Sequence, residues 1–143
     1  MNKLFGILLL TLVFNVSADT LKNITDTRKL SDKMVKHFIL KEFQKGINIA
    51  KPYWPLAPVE LDSLVNQIEG QWPIVDQRFG KAIGSDFVKK EVIGSSFIRY
   101  YYLHKFQKHA IYWQITFYKP KDEWVLNNLL FLDTLDRLFE LQE

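Results

Sequence analysis

Few residues in this sequence have the type and spacing to do chemistry. There are three histidines and no cysteine. The lack of cysteine excludes a disulfide framework, thiolate chemistry and a lipid-modified cysteine. His104 and His109 form the close histidine pair. A metal centre needs three or four ligands, and no zinc-type spacing accompanies them. Both are expected near the tip of a hairpin, as solvent-exposed turn residues. His37, between Lys36 and Phe38, is expected at a surface boundary. No phosphate-binding glycine loop, nucleophile elbow or paired metal motif occurs. No catalytic residue is singled out, and no cofactor or metal is implied.

Aromatic and amide side chains are the remaining candidates. Tyr100, Tyr102 and His104 share one face of a strand with Ile98 and Phe106, while Arg99, Tyr101, Leu103 and Lys105 share the other. On the concave side of a sheet, the phenol groups would orient a ligand; the plainer role is core and cross-strand packing. Trp113 belongs to the apolar set of the next strand. Asn127 and Asn128 interrupt an apolar strand, and alternation is expected to send one to each face. The inward one needs partners, either a polar network or a ligand. Tyr100, Tyr102, Trp113, Asn127 and Asn128 are therefore the candidate ligand-binding residues. Asp76, Arg78, Asp86, Lys89, Lys90 and Glu91 are charged groups near helix and strand ends. An acid beside an apolar pocket would gain a raised pKa and act as a base, whereas surface ion pairing is the default. Asn23-Ile24-Thr25 fits the glycosylation pattern, which is short and common enough to arise by chance.

The elements that must position these groups follow from hydrophobic periodicity. Residues 25–45 read as a helix striped by Leu30, Met34, Phe38 and Ile39, with Gly46 as its stop. Pro52, Pro55 and Pro58 interrupt the chain, and Pro58 suits the first turn of a second helix. Leu61, Leu64, Ile68, Trp72, Val75 and Phe79 form its apolar seam, with a kink or break predicted near Pro73 and an end at Gly80. The period then shifts toward two. Strands are predicted over residues 88–93, 97–106, 109–118 and 124–132, with a two-residue Gly94-Ser95 turn and further turns at 107–108 and 119–122. Ile111, Trp113, Ile115 and Phe117 are the inward set of the third strand. The fourth, apolar on both faces, is expected to be central or covered. Asp133 is placed as the cap of a short last helix carrying Leu135, Leu138 and Phe139. The fold class is α+β: N-terminal helices packed on a four-stranded antiparallel meander, then a short C-terminal helix.

The N-terminal residues read as an address. Lys3 precedes an uncharged apolar run over residues 4–14, and Val16 and Ala18 supply the small residues read before a cut. This is the pattern of a secretory signal peptide cleaved after Ala18. The run is shorter than the roughly 20 residues a membrane span needs. Residues 19–143 then form one domain, periplasmic or secreted, with no membrane span left after cleavage. Composition agrees with a folded domain: 48% hydrophobic, 15% aromatic and a formal charge of +3. That excess is too small to imply nucleic acid. Basic residues from Lys22 to Lys51 crowd the first third, which reads as a solvated helix face.

The helical segment ending Gln77-Arg78-Phe79-Gly80, and the run Trp113-Gln114-Ile115-Thr116-Phe117-Tyr118-Lys119-Pro120-Lys121-Asp122-Glu123-Trp124, resemble small exported bacterial proteins of the nuclear-transport-factor-2-like (cystatin-like) superfamily. The aromatic strand, the Tyr-Lys-Pro turn and the following Trp carry the resemblance, which covers about the last half of the chain. It implies a curved sheet wrapped around a long helix as a cone with one open end. It implies no reaction, and the ketosteroid isomerase motif has no counterpart here. The expectation is a small exported domain that binds a small apolar ligand or a protein partner through the open end or face of its sheet. The alternatives are an isomerase- or hydrolase-type enzyme with its site in the cone, and an interaction module that forms a homodimer.

Overall fold

A computed structural model describes residues 19–140. The signal-peptide reading falls on residues 1–18, outside the described residues. Helix α1 (Ile24–Ile39) starts where the Asn23 side chain accepts the Asp26 amide at 2.9 Å, satisfying one of the free donors of the first turn. Its apolar stripe, including Leu30, Met34, Val35 and Phe38, is buried.

The single helix predicted over residues 25–45 is two helices. Lys41 takes a left-handed backbone (φ 59°), and α2 begins afresh as Phe43–Ala50. The bend lets Phe43 and Ile47 turn back into the core. Gly46 is therefore not a stop but an interior residue of α2 where the two helices cross. A Cβ there would lie 2.5 Å from a Phe38 ring carbon and 3.2 Å from the Met34 carbonyl oxygen.

A 3₁₀ turn (Lys51–Tyr53) leads to α3 (Pro58–Phe79). Pro58 sits in its first turn as predicted, and the Glu60 carboxylate accepts the Ala57 amide at 2.8 Å. The helix runs unbroken past Pro73, whose ring is exposed. The buried seam is Leu61, Val65, Ile68, Trp72, Val75 and Phe79, with Leu64 only half-buried.

The sheet is an antiparallel meander in the order β1-β2-β3-β4: Ala82–Ile93, Phe97–Phe106, Ala110–Tyr118 and Val125–Leu132. Strand β1 starts six residues before the predicted residue 88. Its early half lies on an open edge, mostly exposed, and so lacks an alternating apolar signal. The β1–β2 connection takes three residues, 94–96, closed by the Ile93–Phe97 pair, with Gly94 at φ 55°. Strand β4 is an edge strand rather than a central one. A single antiparallel bridge adjoins it: Leu21 and Trp124 exchange both backbone hydrogen bonds at 2.8 Å.

The inward face of β2 and β3 (Ile98, Tyr100, Tyr102, His104, Phe106, Ile111, Trp113, Ile115, Phe117) meets the buried faces of α1, α2 and α3 in one core. On the outer face, α4 (Asp136–Glu140) brings Leu138 against Tyr101 and Tyr112. Asp133 does not cap α4. It lies beyond the end of β4 and pairs with Arg78 at 3.4 Å.

Candidate functional site

The middle of the sheet's helix-covered face is filled by aromatic rings. Trp113 stacks on Phe38 (centroids 4.3 Å) and faces Trp72 at 6.1 Å and Phe131 at 5.0 Å. Phe43 closes on Trp72 at 4.5 Å. The middle of this face is taken up by these side chains; hollows flank it along the two seams where helices meet the sheet edges, and another of about 440 Å³ lies beside Leu21, Leu30 and Tyr53.

His104 is buried in this layer, and the expectation of an exposed turn residue is corrected. The register pairs it with Ile111, one pair from the turn end of the β2–β3 ladder, and it stacks on Phe106 at 4.3 Å. Its Nδ1 accepts the Trp113 indole N–H at 3.2 Å, so its own proton sits on Nε2. That N–H and the Trp72 indole N–H are both buried without a hydrogen-bond partner. Burial holds the His104 pKa down at about 4, against a weaker upward pull from Asp76. With its acceptor nitrogen already engaged, His104 is no base for a substrate at neutral pH.

The first seam lies between α1 and β1. It holds a groove of about 430 Å³ that includes Val35, Ile39, Leu40, Phe87 and Tyr102. One oxygen of Asp32 accepts the Tyr102 hydroxyl at 2.6 Å and the Arg28 Nε–H at 2.8 Å. The Arg28 guanidinium lies 3.5 Å over the Phe87 ring. Burial, then the Asp32 carboxylate, push the Tyr102 pKa far above the ordinary phenol value, so the hydroxyl stays a neutral donor. Tyr100 is tied down in the same way, to the Thr27 hydroxyl at 2.8 Å. Both tyrosines clamp α1 to β2, and their hydroxyls are committed to protein partners. Lysine, arginine and aspartate were legible here as charged residues; that Arg28, Asp32, Phe87 and Tyr102 meet was not, since 70 residues separate Asp32 from Tyr102.

The second seam lies between α3 and β4. Two adjoining hollows of about 360 and 190 Å³ share Gln71 and Phe131 and form one trough. Leu64, Ile68, Gln71, Ile74 and Val75 supply the helix wall, and Trp113, Leu129, Phe131 and Leu132 the strand wall. The Arg78–Asp133 pair stands at one end. Ile74 is 58% exposed at the lip. Of the five candidate residues, only Trp113 reaches this trough.

Asn127 and Asn128 are both exposed, which corrects the expectation that one faces inward. The register shifts between Thr116–Asn128 and Phe117–Leu126, so Asn127 is the extra residue of a bulge. A bulge absorbs one step of the alternation, and both amides stay in solvent. Among the described residues, no group of three or more His, Asp or Glu side chains is placed to hold a metal ion, and no helix is long and apolar enough to cross a membrane. No protein-family model, curated protein or solved structure matches this sequence.

Proposed function

We propose that this chain is an exported binding domain of the nuclear-transport-factor-2-like kind, released by cleavage after Ala18, which takes an apolar ligand or a protein partner in the α3–β4 trough. The observation that carries this reading is the contrast between the two parts of the helix-covered side. Its centre is filled by Trp72, Trp113, Phe38 and Phe43, leaving no room for a substrate beside an acid or base. The trough beside it is open, walled mainly by Leu, Ile, Val, Phe and Trp side chains, with Gln67, Gln71, Arg78 and Asp133 among them. Apolar walls hold a ligand by desolvation, and the polar groups among them orient it.

The test uses the tryptophans as reporters. Trp113 lines the trough, and Trp72 lies 5.8 Å from Phe131 at its floor. Expressed with its N-terminal segment in a bacterial host, the protein should appear in the periplasmic or medium fraction with Asp19 as its first residue. Titration with the hydrophobic dye 1-anilinonaphthalene-8-sulfonate should then quench tryptophan emission saturably, and a charge in the trough (Gln71→Glu) should weaken that binding. Dye binding unaffected by Gln71→Glu, or absent altogether, overturns the trough as the site. Retention of residues 1–18 in the cytoplasm overturns export.

A further inference from the structure

A binding role for the trough leaves its occupant open, and the shape and chemistry of β4 narrow the choice. Resting on that role, we infer that the trough takes an extended polypeptide segment, apolar at alternate positions, which adds to the outer edge of β4 as an antiparallel fifth strand.

Three observations lead there. The first is direction. Trp124 exchanges both of its backbone hydrogen bonds with Leu21, in an antiparallel bridge. Backbone groups of successive strand residues point to opposite edges, and Val125 is paired with Tyr118 of β3. Leu21 therefore lies on the side of β4 away from β3. The outer edge thus already carries one antiparallel rung, and beyond it the edge is open among the described residues.

The second is the lack of protection. Sheet edges are usually guarded by charges, bulges or proline against unwanted pairing. The opposite edge, β1, follows that rule: it has two register shifts and carries Asp86, Lys89, Lys90 and Glu91. Strand β4 reads Val-Leu-Asn-Asn-Leu-Leu-Phe-Leu, without one charge or proline. Its only irregularity is the bulge at Asn127, and the four residues from Leu129 to Leu132 are all apolar.

The third is the shape of the trough. Leu129 and Phe131 point into the core face and Leu130 and Leu132 to the outer face, yet all four line it. Residues of both parities border a hollow only when it runs along the strand's edge rather than over one face. A strand added there would set every second side chain against Leu64, Ile68 and Val75 of α3. Main-chain hydrogen bonds to β4 would supply the rest, the pattern of recognition by strand addition.

The test is a blocked peptide, alternating valine and threonine and as long as β4, titrated into the purified protein. A second peptide of the same sequence carries N-methyl groups on every other amide, which abolishes pairing along one edge. Expected results are saturable binding of the first, about tenfold weaker binding of the second, and slowed hydrogen exchange at amides of β4. Equal binding of both peptides overturns strand addition. So does dye binding in the trough without any peptide binding, an outcome that leaves the trough itself standing as a small-ligand site. Protection at β1 instead of β4, or sedimentation showing that β4 is instead consumed in a dimer, also overturns it. Failure of both peptide and dye removes the trough as well.

Discussion

The indole N–H of Trp113 donates to Nδ1 of His104 across 3.2 Å, with both side chains inaccessible to water. The pair joins neighbouring strands inside the aromatic layer and fixes His104 as a neutral hydrogen-bond acceptor. Protonation of Nδ1 would break the bond and leave a charge without solvent or counter-ion within the layer.

Stability should therefore depend on pH. Burial lowers the folded-state pKa of His104 from 6.5 to about 4. The unfolded chain binds a proton between those values and the folded chain does not, so stability is full above about pH 6.5 and falls as the pH drops toward 4. The loss is about 3 kcal/mol over that window. Urea midpoints measured from pH 4 to 7.5 check this. In His104→Leu the histidine's part of the slope should disappear, while the unpaired Trp113 N–H costs about 1–3 kcal/mol at neutral pH.

Gly46→Ala should destabilise the protein although alanine is the better helix former. The added methyl would sit 2.5 Å from Phe38 Cε1, and Phe38 is held by its stack on Trp113. A loss of about 1–3 kcal/mol is expected in chemical denaturation, the usual cost of overpacking. Gly70→Ala, in open space on α3, should instead stabilise by about 0.5–1 kcal/mol.

Pro73 occupies an exposed position in the interior of α3 and lacks the amide hydrogen for the helical ladder. Pro73→Ala should raise stability by about 1–3 kcal/mol, read as a higher melting temperature. A neutral or negative result would mean that the helix path set by Pro73 is needed to seat Trp72.

Tyr102→Phe removes the hydroxyl held by Asp32 at 2.6 Å. A loss of about 1 kcal/mol is expected, because Asp32 keeps Arg28 and solvent as partners. Dye binding in the α3–β4 trough should not change, since the two seams lie on opposite edges of the sheet. A drop in dye affinity would show instead that the α1–β1 groove is the binding site.

Much of the fold could be read from local pattern. Ile111, Trp113, Ile115 and Phe117 alternate cleanly, and the strand holding them faces the core as that alternation requires. Strand β2, Phe97–Phe106, has the bounds that Gly94 and the polar Gln107-Lys108 at its ends predict. Pro58 announced α3 because its missing amide hydrogen is harmless only in a first turn. Gly46 is not legible in this way, because a glycine that ends a helix and one that lets two helices touch look alike in sequence.

The candidate site was far less legible. The alternation that put His104 on one face with Tyr100 and Tyr102 was right, yet its place near a turn suggested solvent. Only the third dimension shows Trp72 and Phe106 closing over it. Asn127 and Asn128 could not be placed by parity, since a bulge changes parity without a mark in the sequence.

The amino-acid sequence determined by itself where α1, α3, β2, β3 and β4 lie and which face of β3 is apolar, because those properties depend on neighbours a few positions away. Tertiary structure alone decided that the aromatic residues fill the sheet's centre and that an uncharged strand, β4, lies at its edge beside an open trough. Those facts depend on strand order and on contacts between residues far apart in the chain, for which periodicity carries no information.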